Sequence, residues 1–202
     1  EDEMKEALAY VAFLYQNAVD ALIMQDLGLI SAVHERFPNL EIHASTQMHN
    51  HNSNQLKLLK ELGITRVVLA RELSLSEIEN LAKTTDLELE VFVHGALCIC
   101  YSGECLFSSL LLDRSGNRGS CAGICRLPFS LYEEETKVPT SGKYLLSPKE
   151  LNELDNMEKL MASPITSFKI EGRMKSPTTI GYITRLYRHI MDSMSSHQTP
   201  HL

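Results

Sequence analysis

Residues 40–71 read LEIHASTQMHNHNSNQLKLLKELGITRVVLAR. The stretch predicts a strand over 40–46 and a helix over 53–62. A second strand follows over 64–71. Ser53 is the N-cap candidate and Gly63 the C-cap candidate. A strand, a helix and another strand in about thirty residues is one βα unit followed by the next strand of a parallel sheet.

The same rhythm extends in both directions. Upstream, residues 3–18 carry Leu8, Val11, Ala12, Leu14, Tyr15 and Ala18 at helical spacing. A short apolar run, VDALIMQD, ends at Asp26, and LGLISAVHERF forms a second helix closed by Pro38. Downstream, SLSEIENLAK has Ser74 and Glu77 in a capping-box pattern, and LELEVFVHG (87–95) is a strand. The strands are short and mostly apolar, as expected for a parallel sheet covered on both faces. After a break, residues 147–162 predict a helix opened by Ser147-Pro148, residues 165–173 a strand, and 176–194 a helix opened by Ser176-Pro177.

Repeating βα units belong to a doubly wound sheet or a barrel. No Gly-rich phosphate loop follows an early strand, so the barrel is preferred. Five strands are visible where such a barrel needs eight, and the chain starts on a helix. The expected class is therefore α/β: an incomplete (β/α)8 TIM-type barrel lacking its N-terminal strands, with a Cys-rich insertion. Its parts are βα units over 1–95, the insertion over 96–146, closing βα units over 147–194 and a flexible tail over 195–202.

Bulk properties exclude several function classes. The 202 residues are 44% hydrophobic and 22% charged, with net charge −7. That balance argues against a DNA-coating protein, which needs a basic face. No window approaches about 20 apolar residues, so no membrane span is expected. The absence of a basic leader with an apolar run points to the cytoplasm, and an initial residue other than Met points to a fragment.

All five cysteines lie within 98–125, as Cys98, Cys100, Cys105, Cys121 and Cys125. Six residues separate Cys98 from Cys105, and three separate Cys121 from Cys125. Such short spacings let thiolates converge on a metal. Cys98, Cys105, Cys121 and Cys125 are the metal-ligand candidates, and Cys100 is read as a packing thiol. Without a C-x-x-C pair, spacing does not choose between zinc and iron–sulfur. A thiol nucleophile also stays open, with His94 close to Cys98 in sequence.

In a parallel barrel the strand C-termini surround the mouth. His43, Gln47, Arg71, Glu72, His94, Lys169, Glu171 and Arg173 all fall there. His43, His94 and Glu171 are candidate catalytic proton-transfer groups. Arg71, Lys169 and Arg173 are candidates for binding an anionic substrate. Lys169, Glu171 and Arg173 alternate along one strand and share a face, where they bind an anion or form an ion-pair lattice. His49 and His51 sit in a polar loop and are read as solvated. Further basic residues cluster as Lys169, Arg173 and Lys175, and as Arg114, Arg118 and Arg126.

The blocks EIHASTQ, RVVLARELS, ELEVFVHGALCICYSGECLFS, NRGSCAGICRLPF and SFKIEGRMKSP resemble those of the collagenase-like peptidase family, peptidase U thirty-two. The likeness covers about residues 18–190. It implies a (β/α) barrel. It also implies oxygen-independent hydroxylation: at the tRNA wobble uridine, at a ribosomal RNA cytidine, or in anaerobic ubiquinone synthesis. A [4Fe–4S] cluster on four cysteines and prephenate as oxygen source for the RNA branch come with the resemblance. Cys98, Cys105 and Cys121 match three cluster cysteines. The fourth belongs to a Ser-x-x-Asp-Leu-Cys segment, which here reads SPKELN and places Asn152 at that position. Cys125 is the substitute.

The leading expectation is an iron–sulfur-dependent protein that hydroxylates the tRNA wobble uridine. It would act on tRNA alone, as a homodimer, or beside a paralogous subunit. The rivals are a metal- or thiol-dependent peptidase and a non-catalytic partner subunit.

Overall fold

The computed structural model describes residues 2–196. The chain begins with helix α1 (Asp2–Gln16). Three strand–helix units follow: β1 (Ala21–Met24) with α2 (Leu27–Arg36), β2 (Glu41–Ala44) with α3 (Ser53–Glu61), and β3 (Ile64–Val68) with α4 (Leu75–Ala82). Strand β4 (Glu88–Gly95) leads into the Cys-bearing segment. That segment contains helix α5 (Phe107–Leu112) and a hairpin of β5 (Leu131–Glu133) and β6 (Thr136–Val138). The chain closes with β7 (Leu151–Asn152), α6 (Met157–Ala162), β8 (Ser167–Ile170) and α7 (Pro177–Ser195). The expected tail at 195–202 lies almost wholly outside the described residues.

Strands β1, β2, β3, β4 and β8 lie side by side in that order, all parallel. They form a curled half-barrel sheet in an α/β fold. Among the described residues, β1 pairs only with β2, and β8 only with β4. No described helix is long and apolar enough to cross a membrane.

Local signals explain most boundaries. Ser74 accepts from the Glu77 N–H while the Glu77 carboxylate accepts from the Ser74 N–H, a complete capping box. Ser176 caps α7, with Pro177 in its first turn. The cap of α3 lies one residue earlier than expected: Asn52, not Ser53, accepts from the Gln55 N–H at 2.9 Å. The largest departure is at 147–162. Ser147-Pro148 does not open a helix, and α6 starts only at Met157. Instead Leu151 and Asn152 pair antiparallel with Gly95 and His94 of β4. A ladder to β4 satisfies backbone groups that a free helix end would leave open, and it overrides the local signal.

The sheet has one apolar and one polar face. Alternation along β2 and β4 turns Ile42, Ala44, Leu89, Val91 and Val93 into the core. There they meet Ile30, Val33, Leu56, Leu59, Ile78, Leu81, Tyr187 and Ile190 from the helices. The other face carries His43, Arg66, Glu88, Glu90, Ser167 and Lys169. The expectation of strands apolar on both faces is corrected accordingly.

Where β4 meets the start of the loop after β8, Gly95 has φ +112° and the Glu171 N–H donates to the His94 carbonyl at 2.8 Å. A Cβ on Gly95 would lie 2.1 Å from the Glu171 carbonyl oxygen. Gly95→Ala therefore both strains the backbone and parts these strands. Urea unfolding should show a loss of at least about 1–3 kcal/mol. Unchanged stability would contradict this close approach.

Candidate functional site

The Cys-bearing segment is held across the C-terminal ends of the sheet by side chains that follow three successive strands. After β1, Gln25 Nε2 donates to the Asn117 carbonyl at 2.6 Å. After β2, Gln47 Nε2 donates to the Gly116 carbonyl at 3.1 Å. After β3, the Glu72 carboxylate accepts from the buried Ser102 through its N–H (3.0 Å) and its hydroxyl (3.2 Å). Asn117 donates on to the Gly103 carbonyl at 2.7 Å. Gly103, at φ +83°, sits so close that a Cβ would lie 1.9 Å from the Gln47 carbonyl oxygen. Asn50, fully buried, fixes the β2–α3 loop beneath by donating to the Ser45 and Val68 carbonyls.

The thiols share one neighbourhood. All five are free, with Cys98 and Cys121 exposed and the other three half-buried. Burial pushes the Cys125 thiol up; Arg126 opposes this, and Cys98, Cys121 and Cys105 add to it. Burial also pushes Cys100 up, helped by Cys105 and Cys98. Arg126 ties the Cys125 turn to the strand ends, donating to the Ser147 hydroxyl at 2.8 Å, the Pro148 carbonyl at 2.6 Å and the Leu97 carbonyl. The Gly123 N–H donates to Cys121 Sγ at 3.4 Å, a bond of the kind that tunes thiolate ligands. The donor set of Cys98, Cys105, Cys121 and Cys125 fits a soft metal or an iron–sulfur group. No three described His, Cys, Asp or Glu side chains are drawn together as a ligand shell. Cys100 and Cys105 also line an open apolar depression of about 430 Å³ with Ile99, Leu106, Phe107 and Leu110. Asn152 lies in β7 opposite His94, and its Oδ1 accepts from the Leu154 N–H at 3.2 Å.

The cationic candidates differ in how far their charge is spent. Lys169 Nζ donates to Glu90 Oε1 at 2.9 Å, and Ser167 Oγ donates to Oε2 at 2.6 Å. Burial would raise the Glu90 pKa, but these hydrogen bonds and the Lys169 and Arg66 charges outweigh it and hold the carboxyl below its ordinary range. Arg173 is 74% exposed and pairs with Glu171 at 3.2 Å. Lys175 pairs with Glu150, and Arg118 with Glu3. Arg71 is different. Its guanidinium lies 5.2 Å over the Phe92 ring, and Nη1 reaches the Ala96 carbonyl only at 3.4 Å. Its buried Nε–H has no hydrogen-bond partner. Arg71 and Phe92 line a small cavity of about 120 Å³ with Leu73, Leu151, Glu153 and Leu160.

The candidate proton-transfer groups are not brought together as a set. His43 lies on β2, with Ile23 and Arg66 as its cross-strand neighbours. Its Nε2 is buried without a hydrogen bond, 3.5 Å from a Glu41 carboxylate oxygen. His94 is two strands away and, because His43 is level with Arg66 and Glu88, six residues further along β4, so strand geometry sets the two roughly 20 Å apart. Burial lowers the His94 pKa; Glu150 opposes this and Lys175 reinforces it. Nδ1 of His94 lies 3.2 Å from the Tyr187 hydroxyl. Glu171 contributes its backbone to the β4 contact and its carboxylate to Arg173. Sequence reading placed Gln47 and Glu72 at strand ends without their role as anchors. It missed Gln25, Ser102 and Tyr187 and counted Arg126 only as part of a basic cluster. Their partners are distant in sequence, and no local signal marks them.

The profile of "Peptidase family U32" matches residues 1–201. The 23S rRNA 5-hydroxycytidine C2501 synthase of Escherichia coli is 41% identical over 194 residues, which cover 96% of this chain and 29% of that protein. The tRNA hydroxylation protein P1 of Bacillus subtilis is 37% identical over 190 residues, 91% of this chain and 45% of that one. An uncharacterized protease of Methanocaldococcus jannaschii is 40% identical over 203 residues, 96% and 49%. The chain thus spans less than half the length of each of these relatives. With the match running along nearly its whole length, the chain belongs to peptidase family U32.

Proposed function

We propose that this chain is part of an RNA-modifying enzyme that hydroxylates a pyrimidine base, and that its curled sheet is part of a (β/α)8 barrel. The carrying observation is the thiol neighbourhood pinned by Gln25, Gln47, Glu72 and Arg126 over the strand ends that bear Arg71 and His94. Relatives whose names denote rRNA and tRNA hydroxylation support the substrate class. The tRNA wobble uridine and a ribosomal cytidine are two targets of this one chemistry.

Cys98, Cys105, Cys121 and Cys125 are the residues that would hold a [4Fe–4S] cluster, with zinc as the alternative occupant. Bound there, an iron–sulfur group supplies one-electron chemistry. Arg71 contributes an unmet donor to a carboxylate or phosphate, because a buried N–H without an acceptor gains most from one. A carboxylate co-substrate such as prephenate meets that requirement. Lys169 holds Glu90 and sets the charge of the polar face. His94, kept neutral by its surroundings, accepts a proton.

Deletion of the gene should remove the hydroxylated pyrimidine from tRNA or rRNA, as read by nucleoside mass spectrometry. The full-length gene should restore it and a Cys105→Ala version should not; unchanged nucleosides in the deletion strain would overturn the proposal. Anaerobic reconstitution should give brown protein absorbing near about 400 nm with bound iron and sulfide. Cys125→Ala should lose the iron and Cys100→Ala should keep it, while a colourless wild type would remove the cluster from the proposal. The low pKa of His94 leaves its neutral form populated further into acid than an ordinary histidine, so the acid limb of kcat/KM should fall below about 6.5. A His94→Gln variant that retains that limb would assign it to another group.

A further inference from the structure

The Tyr187 hydroxyl is a junction with a single proton to give. Tyr187 is 4% exposed on α7, under the end of β4. Its oxygen lies 2.7 Å from the Val93 carbonyl oxygen. A carbonyl can only accept, so the phenolic proton goes there. The Glu153 N–H, which can only donate, points at the same phenolic oxygen at 3.2 Å and at the Val93 carbonyl at 3.0 Å. The third contact is His94 Nδ1 at 3.2 Å. With the proton already committed, Tyr187 can meet Nδ1 only as an acceptor. Nδ1 must therefore carry the hydrogen.

The other ring nitrogen follows. In neutral imidazole one nitrogen bears the hydrogen and the other a lone pair. Nε2 of His94 makes no protein hydrogen bond among the described residues, and it is not among the buried side-chain atoms that lack a partner. It is therefore open to solvent. The ring is set edge-on to the Tyr187 ring at 77°, with centroids 5.6 Å apart. The Glu153 N–H comes directly after antiparallel β7, so the departure of 147–152 from a helix is what completes the junction.

We propose that Tyr187 is a positioning residue for His94, holding the imidazole as the Nδ1–H tautomer so that Nε2 presents a lone pair for proton acceptance. The tautomer stands on the geometry alone; its use in proton transfer rests on the function proposed above. Imidazole side chains in water favour the opposite tautomer, so the arrangement is one that the protein imposes.

Long-range ¹H–¹⁵N correlation spectra of the uniformly ¹⁵N-labelled full chain test it. His94 is assigned by the signals lost in His94→Gln. In the neutral ring, the protonated-nitrogen shift should belong to Nδ1 and the unprotonated one to Nε2. Tyr187→Phe removes the acceptor while leaving Val93 O bonded to the Glu153 N–H, and should move the hydrogen to Nε2 wholly or in part. An Nε2–H tautomer in the wild type overturns the proposal even if Tyr187→Phe fails to fold. An unchanged tautomer in a folded Tyr187→Phe overturns it too. If the tautomer behaves as expected but His94→Gln leaves RNA hydroxylation intact, the positioning by Tyr187 stands and the proton-transfer role of His94 fails.

Discussion

The Cys-bearing segment is ordered by a few hydrogen bonds to its backbone, and the site exists only while they hold. Of its own apolar side chains Ile124 is buried, but Leu106, Leu110, Leu111 and Leu112 are all more than half exposed. A typical hydrogen bond adds about 0.5–1.5 kcal/mol net, more when one partner is charged. Glu72 on Ser102 and Arg126 on three oxygens belong to the stronger class. Gln25 and Gln47 add two neutral bonds to adjacent carbonyls, at Asn117 and Gly116. Because Gln25, Gln47 and Glu72 follow three successive strands, the parallel sheet itself sets the spacing of the clamp. A group bound by the thiols would add free energy to the same ordered state, since binding that closes loops also stabilises them.

The polar face explains how charge can lie buried against a sheet. Glu90 has a side chain only 10% exposed, and an unpaired carboxylate there would be strongly penalised. Lys169, Ser167 and Arg66 share its compensation, and Arg66 also grips Glu88. Lys169 is therefore costly to remove for reasons that have nothing to do with a substrate. Arg71 is the reverse case, with a stacking partner in Phe92 and a donor left over. The two cations flank the same ring, but Lys169 is tied to Glu90 whereas Arg71 keeps a buried N–H without a partner.

Legibility followed the range of each interaction. The Ser74–Glu77 box and the Ser176-Pro177 start are settled within four residues, and both were readable. Ser147-Pro148 carries the same local signal, yet Leu151 and Asn152 found partners on β4 more than fifty residues away. The slip from Ser53 to Asn52 is a choice between neighbouring polar residues that one hydrogen bond decides. The strand-end positions of Arg71 and His94 were legible because a parallel sheet fixes them by rhythm alone. Tyr187 was not, because a tyrosine at helical spacing reads as core, and core it is, apart from one oxygen.

The surroundings of Asn152 suit an asparagine. Asn152 sits opposite His94 in β7, and its side-chain oxygen satisfies the Leu154 N–H at the start of a single helical turn. A thiol there would give up that bond, since sulfur is a weak acceptor. Meanwhile Cys125 already lies within electrostatic reach of Cys98, Cys105 and Cys121, on a turn that Arg126 fastens to Ser147 and Pro148. The arginine thus fastens the Cys125 turn to the segment that leads into β7. A group held by Cys98, Cys105, Cys121 and Cys125 would need no ligand from β7, which pairs with β4 and leads into the Glu153 N–H of the Tyr187 junction.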